Sequence, residues 1–297
     1  MFKLAVVGTL ALAASAMKHP INDDIVTEIK AKATTWHPHE VNENPLSKLS
    51  AGQVYGLLGA KVQAPVGYTA PQVVTVPTAF DSRTAFSGCV HEVRNQQQCG
   101  SCWAFGATEA LSDRFCIASG GRTNIVLSPE NMVECDHSDM GCQGGWLNNA
   151  WEYLQDTGVP SDSCQPYVSG GGSGPACHSS CSDGSAFQQY KCAAGSIVEA
   201  TSPSEIQSEI YTNGPMETAF TVYQDFFQYK GGVYQHTSGG MAGGHAIKVL
   251  GWGQENGVNY WLCANSWGTS WGEGGFFRIA WGQCGIDSAA YACTPQL

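Results

Sequence analysis

Cationic side chains are scarce in this chain, and long apolar runs are missing altogether. Fourteen Lys and Arg stand against 25 Asp and Glu, a formal net charge of −11. From Val76 onward eight basic residues face twenty acidic ones, a net −12 that repels phosphate backbones, so no nucleic acid partner is expected. No segment approaches the roughly 20 apolar residues of a membrane-crossing helix, so a soluble chain without a membrane span is expected. No Asn-x-Ser/Thr acceptor occurs, which closes sorting routes that depend on N-linked glycan. Internal repeats are also lacking, and the one low-complexity tract is Ser169-Gly-Gly-Gly-Ser-Gly174. Before Thr75 there is no cysteine, although the chain holds 13.

What is present first is an export signal. Met1–Ala16 has one lysine, Lys3, then an apolar run from Leu4 to Ala14 and the small-residue end Ala14-Ser15-Ala16. This is the pattern of a secretory signal peptide, expected over residues 1–16. Export makes most of the 13 cysteines candidates for disulfides, and the odd count leaves at least one thiol free. Residues 17–75 differ from the rest: five Lys balance five acids, and Pro and polar residues are frequent. They read as a pro-segment with a short helix at Ile25–Lys32 and a weak one at Ala51–Ala60, or, on composition alone, as a secreted linker.

Residues 76–297 are long enough for one large or two small lobes with a real core. Their first half reads helical. One helix runs from Cys102 to Ile117; another starts at Ser128-Pro129-Glu130, with Ser as cap and Pro in the first position; a third places Leu147, Ala150, Trp151 and Leu154 on one face and stops near Gly158. The second half reads as strands at Glu217–Val222, His245–Leu250, Val258–Ala264, Gly275–Trp281 and Ser288–Cys293, with a hairpin turn at Gln254–Gly257. Helices followed by strands indicate an α+β protein of two lobes.

The organising stretch is Val93-Arg-Asn-Gln-Gln-Gln-Cys-Gly-Ser-Cys-Trp-Ala-Phe105. Cys102 falls in the first turn of its helix, where unpaired N–H groups and the helix dipole favour the thiolate, the reactive form. Cys99-Gly-Ser-Cys102 alone also fits a redox Cys-x-x-Cys or half of a zinc site. A thiolate nucleophile needs a base, and the base needs a group to hold its tautomer. His245 stands after a glycine pair at the mouth of an apolar strand, and Asn265 follows the next strand in Ala-Asn-Ser-Trp-Gly.

Gln96, Cys99-Gly-Ser-Cys102-Trp103, Gly244-His245-Ala246 and Asn265-Ser-Trp267-Gly together resemble the papain-like cysteine peptidases across residues 76–297. The resemblance implies a papain-like two-lobed fold: a helical lobe at about 84–187, an antiparallel sheet or barrel lobe at about 188–297 with residues 76–83 as an arm, and the active-site cleft between them. It also implies roles. Cys102 would attack the peptide carbonyl as half of a thiolate–imidazolium pair with His245, Asn265 would orient His245, and Trp267 would shield that bond. Gln96 and the Cys102 N–H would hold the oxyanion, Gly144 and Gly145 would pair with substrate backbone, and Gly244, Ala246 and Trp271 would line the cleft.

Val76-Pro-Thr-Ala-Phe-Asp-Ser-Arg, Asn213-Gly-Pro-Met-Glu, Tyr229-Lys-Gly-Gly-Val-Tyr-Gln-His, Cys284-Gly-Ile-Asp and the pro-segment's Thr34-Thr35-Trp36 look like the cathepsin B subfamily. That likeness implies the disulfides Cys89–Cys116, Cys99–Cys142, Cys135–Cys177 and Cys164–Cys181. Cys192, Cys263, Cys284 and Cys293 stay open, with Cys192–Cys293 as one option.

Two departures stand out. The short Gly/Ser tract before Cys177 replaces the subfamily's occluding loop and its histidine pair, and His178 has no histidine neighbour. Ala289 stands where the subfamily has a glutamate at the floor of its main specificity pocket. The expectation is therefore a zymogen of a cysteine endopeptidase, secreted or held in a lysosome-like vesicle and monomeric, without metal or cofactor. Its partners would be protein or peptide substrates, its own pro-segment as inhibitor, and cystatin-type inhibitors. The alternatives are a catalytically inactive disulfide-rich homologue and a C-terminal dipeptide-releasing exopeptidase.

Overall fold

The computed structural model describes residues 18–297, so the signal peptide expected at 1–16 lies outside the described residues. Residues 18–75 form α1 (Asp23–Lys32), the short strand β1 (Trp36–Pro38) and α2 (Ala51–Tyr55). α1 begins where the Asn22 side chain accepts the Ile25 N–H, and it carries Asp23 and Asp24 in its first turn and Lys30 and Lys32 in its last, charges that complement the helix dipole. Ser50 and Gln53 close a reciprocal capping box on α2, which stops at Tyr55 rather than Ala60.

Then follow β2 (Phe80–Asp81), α3 (Ser82–Ala85), α4 (Cys102–Ala118), α5 (Pro129–Cys135) and α6 (Leu147–Asp156). The Ser128 side chain accepts the Asn131 N–H with Pro129 in the first turn, as the sequence indicates. The second half is β3 (Val198–Ala200), α7 (Pro203–Asn213), β4 (Met216–Tyr223), β5 (Tyr229–Tyr234), β6 (Met241–Glu255), β7 (Val258–Ala264), β8 (Phe276–Ala280) and β9 (Ala290–Ala292). Two corrections follow. The strand half contains a helix, α7, whose start Ser202-Pro203 carries the same signals as that of α5 and which stops at Gly214. The strand bearing His245 is much longer than residues 245–250, with a bulge between Val249 and Gly251.

The strands pair in the order β1-β5-β8-β7-β6-β4-β9-β3, and β2 pairs β6. All pairs are antiparallel except β5–β8. At the β6–β7 hairpin Asn256 and Gly257 have φ of 50° and 80°, the pair of positive values that a tight two-residue turn requires.

α4 is the axis of the molecule. Every residue from Cys102 to Cys116 is buried, because the helix runs between the other helices and the sheet. Two of its charged residues are tightly paired: Asp113 receives the Lys248 ammonium at 2.7 Å, and the Arg114 guanidinium donates to Glu209 at 2.8 Å and to the carbonyls of Gly214, Pro215 and Cys293. Removing one partner of such a buried pair costs about 3–5 kcal/mol. Lys248 lies three residues beyond His245 on β6, so this clamp holds the histidine strand against the cysteine helix.

The four disulfides implied by resemblance form, and Cys192–Cys293 joins them. Among the described residues Cys102, Cys263 and Cys284 remain free.

Candidate active site

Cys102 is the first residue of α4, after Ser101, whose carbonyl accepts the Ala104 and Phe105 N–H groups and whose hydroxyl meets the Tyr167 hydroxyl at 2.9 Å. His245 approaches from β6, opposite Phe220 of β4. Its Nε2 lies 2.7 Å from Asn265 Oδ1. That oxygen also accepts the Ser266 N–H at 2.8 Å, which fixes the amide orientation and hence makes Nε2 the protonated nitrogen. Nδ1 is left without a hydrogen-bond partner among the described residues. The Trp267 ring stands 4.8 Å from the imidazole. Trp271 does not line the cleft: it is fully enclosed by Phe226, Tyr229, Trp267 and Phe277, so it backs Trp267.

Gln96 is held at three points. Its N–H donates to the Ser266 carbonyl, its Oε1 accepts the Ser266 hydroxyl at 2.7 Å, and its own carbonyl accepts the Tyr167 hydroxyl at 2.8 Å. This leaves Nε2 to donate to the Cys99 carbonyl and to the Leu57 carbonyl at 2.9 Å. Ser266 and Tyr167 were not read from the sequence; Ser266 sits inside the Asn-Ser-Trp motif, whereas Tyr167 gives no local signal.

The N-terminal segment occupies this cleft. It comes in at Leu57, beside Gln96, and continues toward Ala289. The Gly145 N–H donates to the Gly59 carbonyl and the Gly145 carbonyl accepts the Lys61 N–H, both at 2.9 Å, while the Ala60 N–H reaches the Gly244 carbonyl at 3.1 Å. Gly145 thus pairs through both backbone groups with the N-terminal segment, whereas the Gly144 N–H donates to the Gly141 carbonyl and its carbonyl accepts the Met140 N–H. Gly144 instead permits the approach: a Cβ there would lie 2.2 Å from the Gly59 carbonyl, at a φ of 109°. Ala246 contributes backbone beside the Cys102 sulfur.

Lys61, Val62 and Gln63 cover a pocket walled by Leu147, Ala219, Ser288, Ala289 and Tyr291. Asp287, the one acid close by in sequence, is turned away and accepts from the Gly282 N–H and the Trp261 indole. Leu147, Ala219 and Tyr291 are pocket residues the sequence did not reveal, since they read as ordinary core positions.

Burial changes the expected protonation. It pushes the Cys102 thiol up to about 11, against the smaller downward pull of nearby backbone from Ala246 and Gly59. It pulls His245 down to about 4, only partly offset by Asn265 and the Leu57 carbonyl. With the segment in place the pair is therefore thiol and neutral imidazole, not thiolate and imidazolium, because a charged pair here would lack solvation.

The Gly/Ser tract is less loose than its composition indicates. The Val168 and Ser169 N–H groups and the Ser169 hydroxyl bond to Glu130, and the Gly170 carbonyl accepts the Gln98 N–H at 3.0 Å, so the tract starts buried against the stretch that carries Gln96. Gly171–Gly174 then lie at or near the surface. His178 is paired with Glu134 at 2.8 Å.

A buried cysteine at a helix start, a histidine fixed through an asparagine and a pinned glutamine amide beside them define the class of a cysteine peptidase site. Comparison agrees: residues 76–294 match the papain family cysteine protease model, and the chain belongs to that family. Over 256 residues it is 43% identical to "Cathepsin B-like cysteine proteinase 4" of Caenorhabditis elegans, covering 75% of this chain and 76% of that one. It is 40% identical over 294 residues to a "Gut-specific cysteine proteinase" of the same organism, covering 91% and 88%, and 42% identical over 240 residues to "Cathepsin B-like CP2" of Giardia intestinalis, covering 80% of each. Among solved structures, procathepsin B S9 from Trypanosoma congolense superposes with a TM-score of 0.85 at 30% identity, over 94% of this chain and 99% of that one. The chain is thus a cathepsin B-like member of the family.

Proposed function

We propose that the chain is the zymogen of a cysteine endopeptidase, with residues 17–75 as pro-segment, a mature enzyme starting near Val76, and Cys102, His245, Asn265 and Gln96 as its catalytic residues. The observation that carries this reading is the path of residues 57–61, which covers the thiol, takes the Gln96 amide with a carbonyl and uses the Gly145 and Gly244 backbone groups that would hold a substrate. Once the segment leaves, His245 Nδ1 takes the Cys102 thiol proton, Sγ attacks a peptide carbonyl carbon, and Gln96 Nε2 and the Cys102 N–H receive the oxygen. His245 then protonates the departing amine, and water, deprotonated by His245, hydrolyses the thioester. A substrate whose second side chain before the scissile bond sits at Ala289 would run from that pocket to Cys102. The pro-segment runs in the opposite sense.

Cutting within chains, rather than releasing C-terminal dipeptides, is favoured by the short tract. A terminal carboxylate needs a positive anchor on the leaving-group side; Ser169–Gly174 supplies none, and His178 is already paired with Glu134. The five disulfides support an exported protein, secreted or vesicular. No helix among the described residues is long and apolar enough to cross a membrane.

The test follows the chain before and after cutting near Val76, on an internally cleaved peptide with blocked ends and on a dipeptide-releasing substrate with a free carboxylate. The cut form should hydrolyse the blocked peptide better, the uncut form should be inert, and Cys102→Ala should abolish both activities. Equal turnover by the uncut chain, or by Cys102→Ala, sinks the enzyme assignment; clear preference for the free carboxylate sinks the endopeptidase part.

A further inference from the structure

Beyond the Ala289 pocket the pro-segment meets a second built site. The Glu199 carboxylate on β3 accepts three consecutive backbone N–H groups, from Val66 at 2.9 Å, Gly67 at 2.7 Å and Tyr68 at 3.2 Å. It also accepts the hydroxyl of Tyr291, itself a wall of the pocket, at 2.5 Å. Tyr68 lies among three acids: its own hydroxyl donates to Glu152, and Asp156 stands close by, one turn further along α6. The Lys191 ammonium donates to the Asp156 backbone carbonyl. Burial alone would raise the Glu199 carboxyl, but the Tyr291 hydroxyl and the three amides outweigh it and hold the group below the usual carboxylate range.

Removal of the pro-segment strips Glu199 of three of its four donors and takes the Tyr68 hydroxyl from Glu152. A carboxylate in that position lacks partners, and a donor that also carries positive charge satisfies it best. We propose that Glu199 and Tyr291, rimmed by Glu152 and Asp156, form a substrate subsite that takes a cationic group from the residues preceding the one in the Ala289 pocket. The group is a lysine or arginine side chain or a free N-terminal ammonium. This rests on the endopeptidase reading and adds a charge preference to it. The two pockets then divide the work: Ala289 receives an apolar side chain, and Glu199, one layer beyond, selects charge.

The experiment uses the cut enzyme and peptides that carry leucine for the Ala289 pocket, with Lys, Arg, Gln or Glu at each of the two preceding positions, ends blocked or with a free amine. Wild-type kcat/KM should favour the cationic member over the Glu member by about tenfold or more. In Glu199→Gln that ratio should fall toward unity, and Tyr291→Phe should reduce it in part. A wild-type ratio within twofold of unity, or a ratio unchanged in Glu199→Gln, overturns the proposal while hydrolysis of the neutral peptides leaves the endopeptidase reading standing. Absence of hydrolysis of every peptide by wild type would remove both. Should Glu199→Gln fail to fold, the wild-type preference must still weaken as salt rises from 0.05 to 0.5 M, about a threefold shortening of the screening length; a salt-independent preference would also overturn it.

Discussion

The N-terminal segment holds on in two different ways along its length. Residues 18–56 dock as a small folded piece: β1 adds to the edge of β5, Trp36 is buried against Tyr229 and Tyr234, its indole donates to the Gln235 carbonyl, and the Asn44 amide reaches the Phe227 carbonyl. Residues 57–69 have almost no secondary structure and are held through backbone groups of Gly145 and Gly244 and through Glu199. The first part supplies affinity from apolar burial and is indifferent to catalysis. The second part blocks the site yet, beyond Leu57 and Ala60, buries little of its own, so it stays seated because the first part keeps its local concentration high.

That division can be tested on the uncut Cys102→Ala protein, which cannot process itself, by hydrogen exchange at two sets of amides. Ala60 and Lys61 report the cleft, and Val233, which donates to the Thr35 carbonyl at 2.7 Å, reports the anchor. The largest effect is expected from Trp36→Ala. Deleting a buried aromatic side chain costs about 3–5 kcal/mol, so protection should fall by about 10²–10³-fold at both sets together. If the cleft amides keep their protection, the anchor does not govern the plug.

Acid should come next. Covered His245 titrates at about 4, whereas an uncovered histidine titrates near its ordinary value of about 6.5. The uncovered form therefore binds more protons, so cleft protection is fully present above pH 6.5 and is lost as pH falls toward 4. His39, also held low by burial, adds in the same direction. Between pH 7 and 4.5 the loss should reach up to about 10²-fold after correction for intrinsic exchange. Protection that rises on acidification would show that other groups control closure.

The pocket beneath the plug gives a smaller readout. Without a carboxylate at its floor, the cut enzyme should prefer leucine or valine over arginine two residues before the scissile bond, since an unpaired buried cation is costly. The difference should be about 10–200-fold in kcat/KM, and Ala289→Glu should reverse its direction. An arginine preference in the unaltered enzyme would break this account.

The smallest effect is the most selective. A Cβ at Gly59 would lie 1.8 Å from the Gly100 carbonyl. Gly59→Ala should therefore unseat the plug at about 1–3 kcal/mol, a 5–150-fold loss of protection at Ala60 and Lys61, with Val233 unchanged. Equal loss at both sets would mean that the two parts open as one.

What was legible in the sequence follows the same split. Cys102, His245, Asn265 and Gln96 sit in contiguous motifs, because the chemistry demands fixed residue types beside helix and strand ends, and the structure brings all four together. The pocket was only half legible: Ala289 stood out by departure from a pattern, while Leu147, Ala219 and Tyr291 have the side chains of any core. α7 was missed although Ser202, Pro203 and Gly214 mark its ends, because the strand-rich composition around it dominated the reading. Glu199 could not be seen, since its partners lie 131 or more residues before it and 92 after it. That Cys102 is held as a thiol while the segment covers it was not legible for a related reason: helix position is local, but burial by a distant segment is not.

The sense in which the pro-segment crosses the cleft carries a kinetic consequence. With Leu57 at the Gln96 amide and the chain leaving over Ala289, the bond after Leu57 presents its acyl portion to the wrong end of the groove, so the nucleophile covered by this stretch cannot cut it in place. A cut in this stretch by the chain's own chemistry then requires a second molecule. The onset of activity in a dilute preparation should be sigmoidal, with a lag that shortens as protein concentration rises and disappears when a trace of finished enzyme is added.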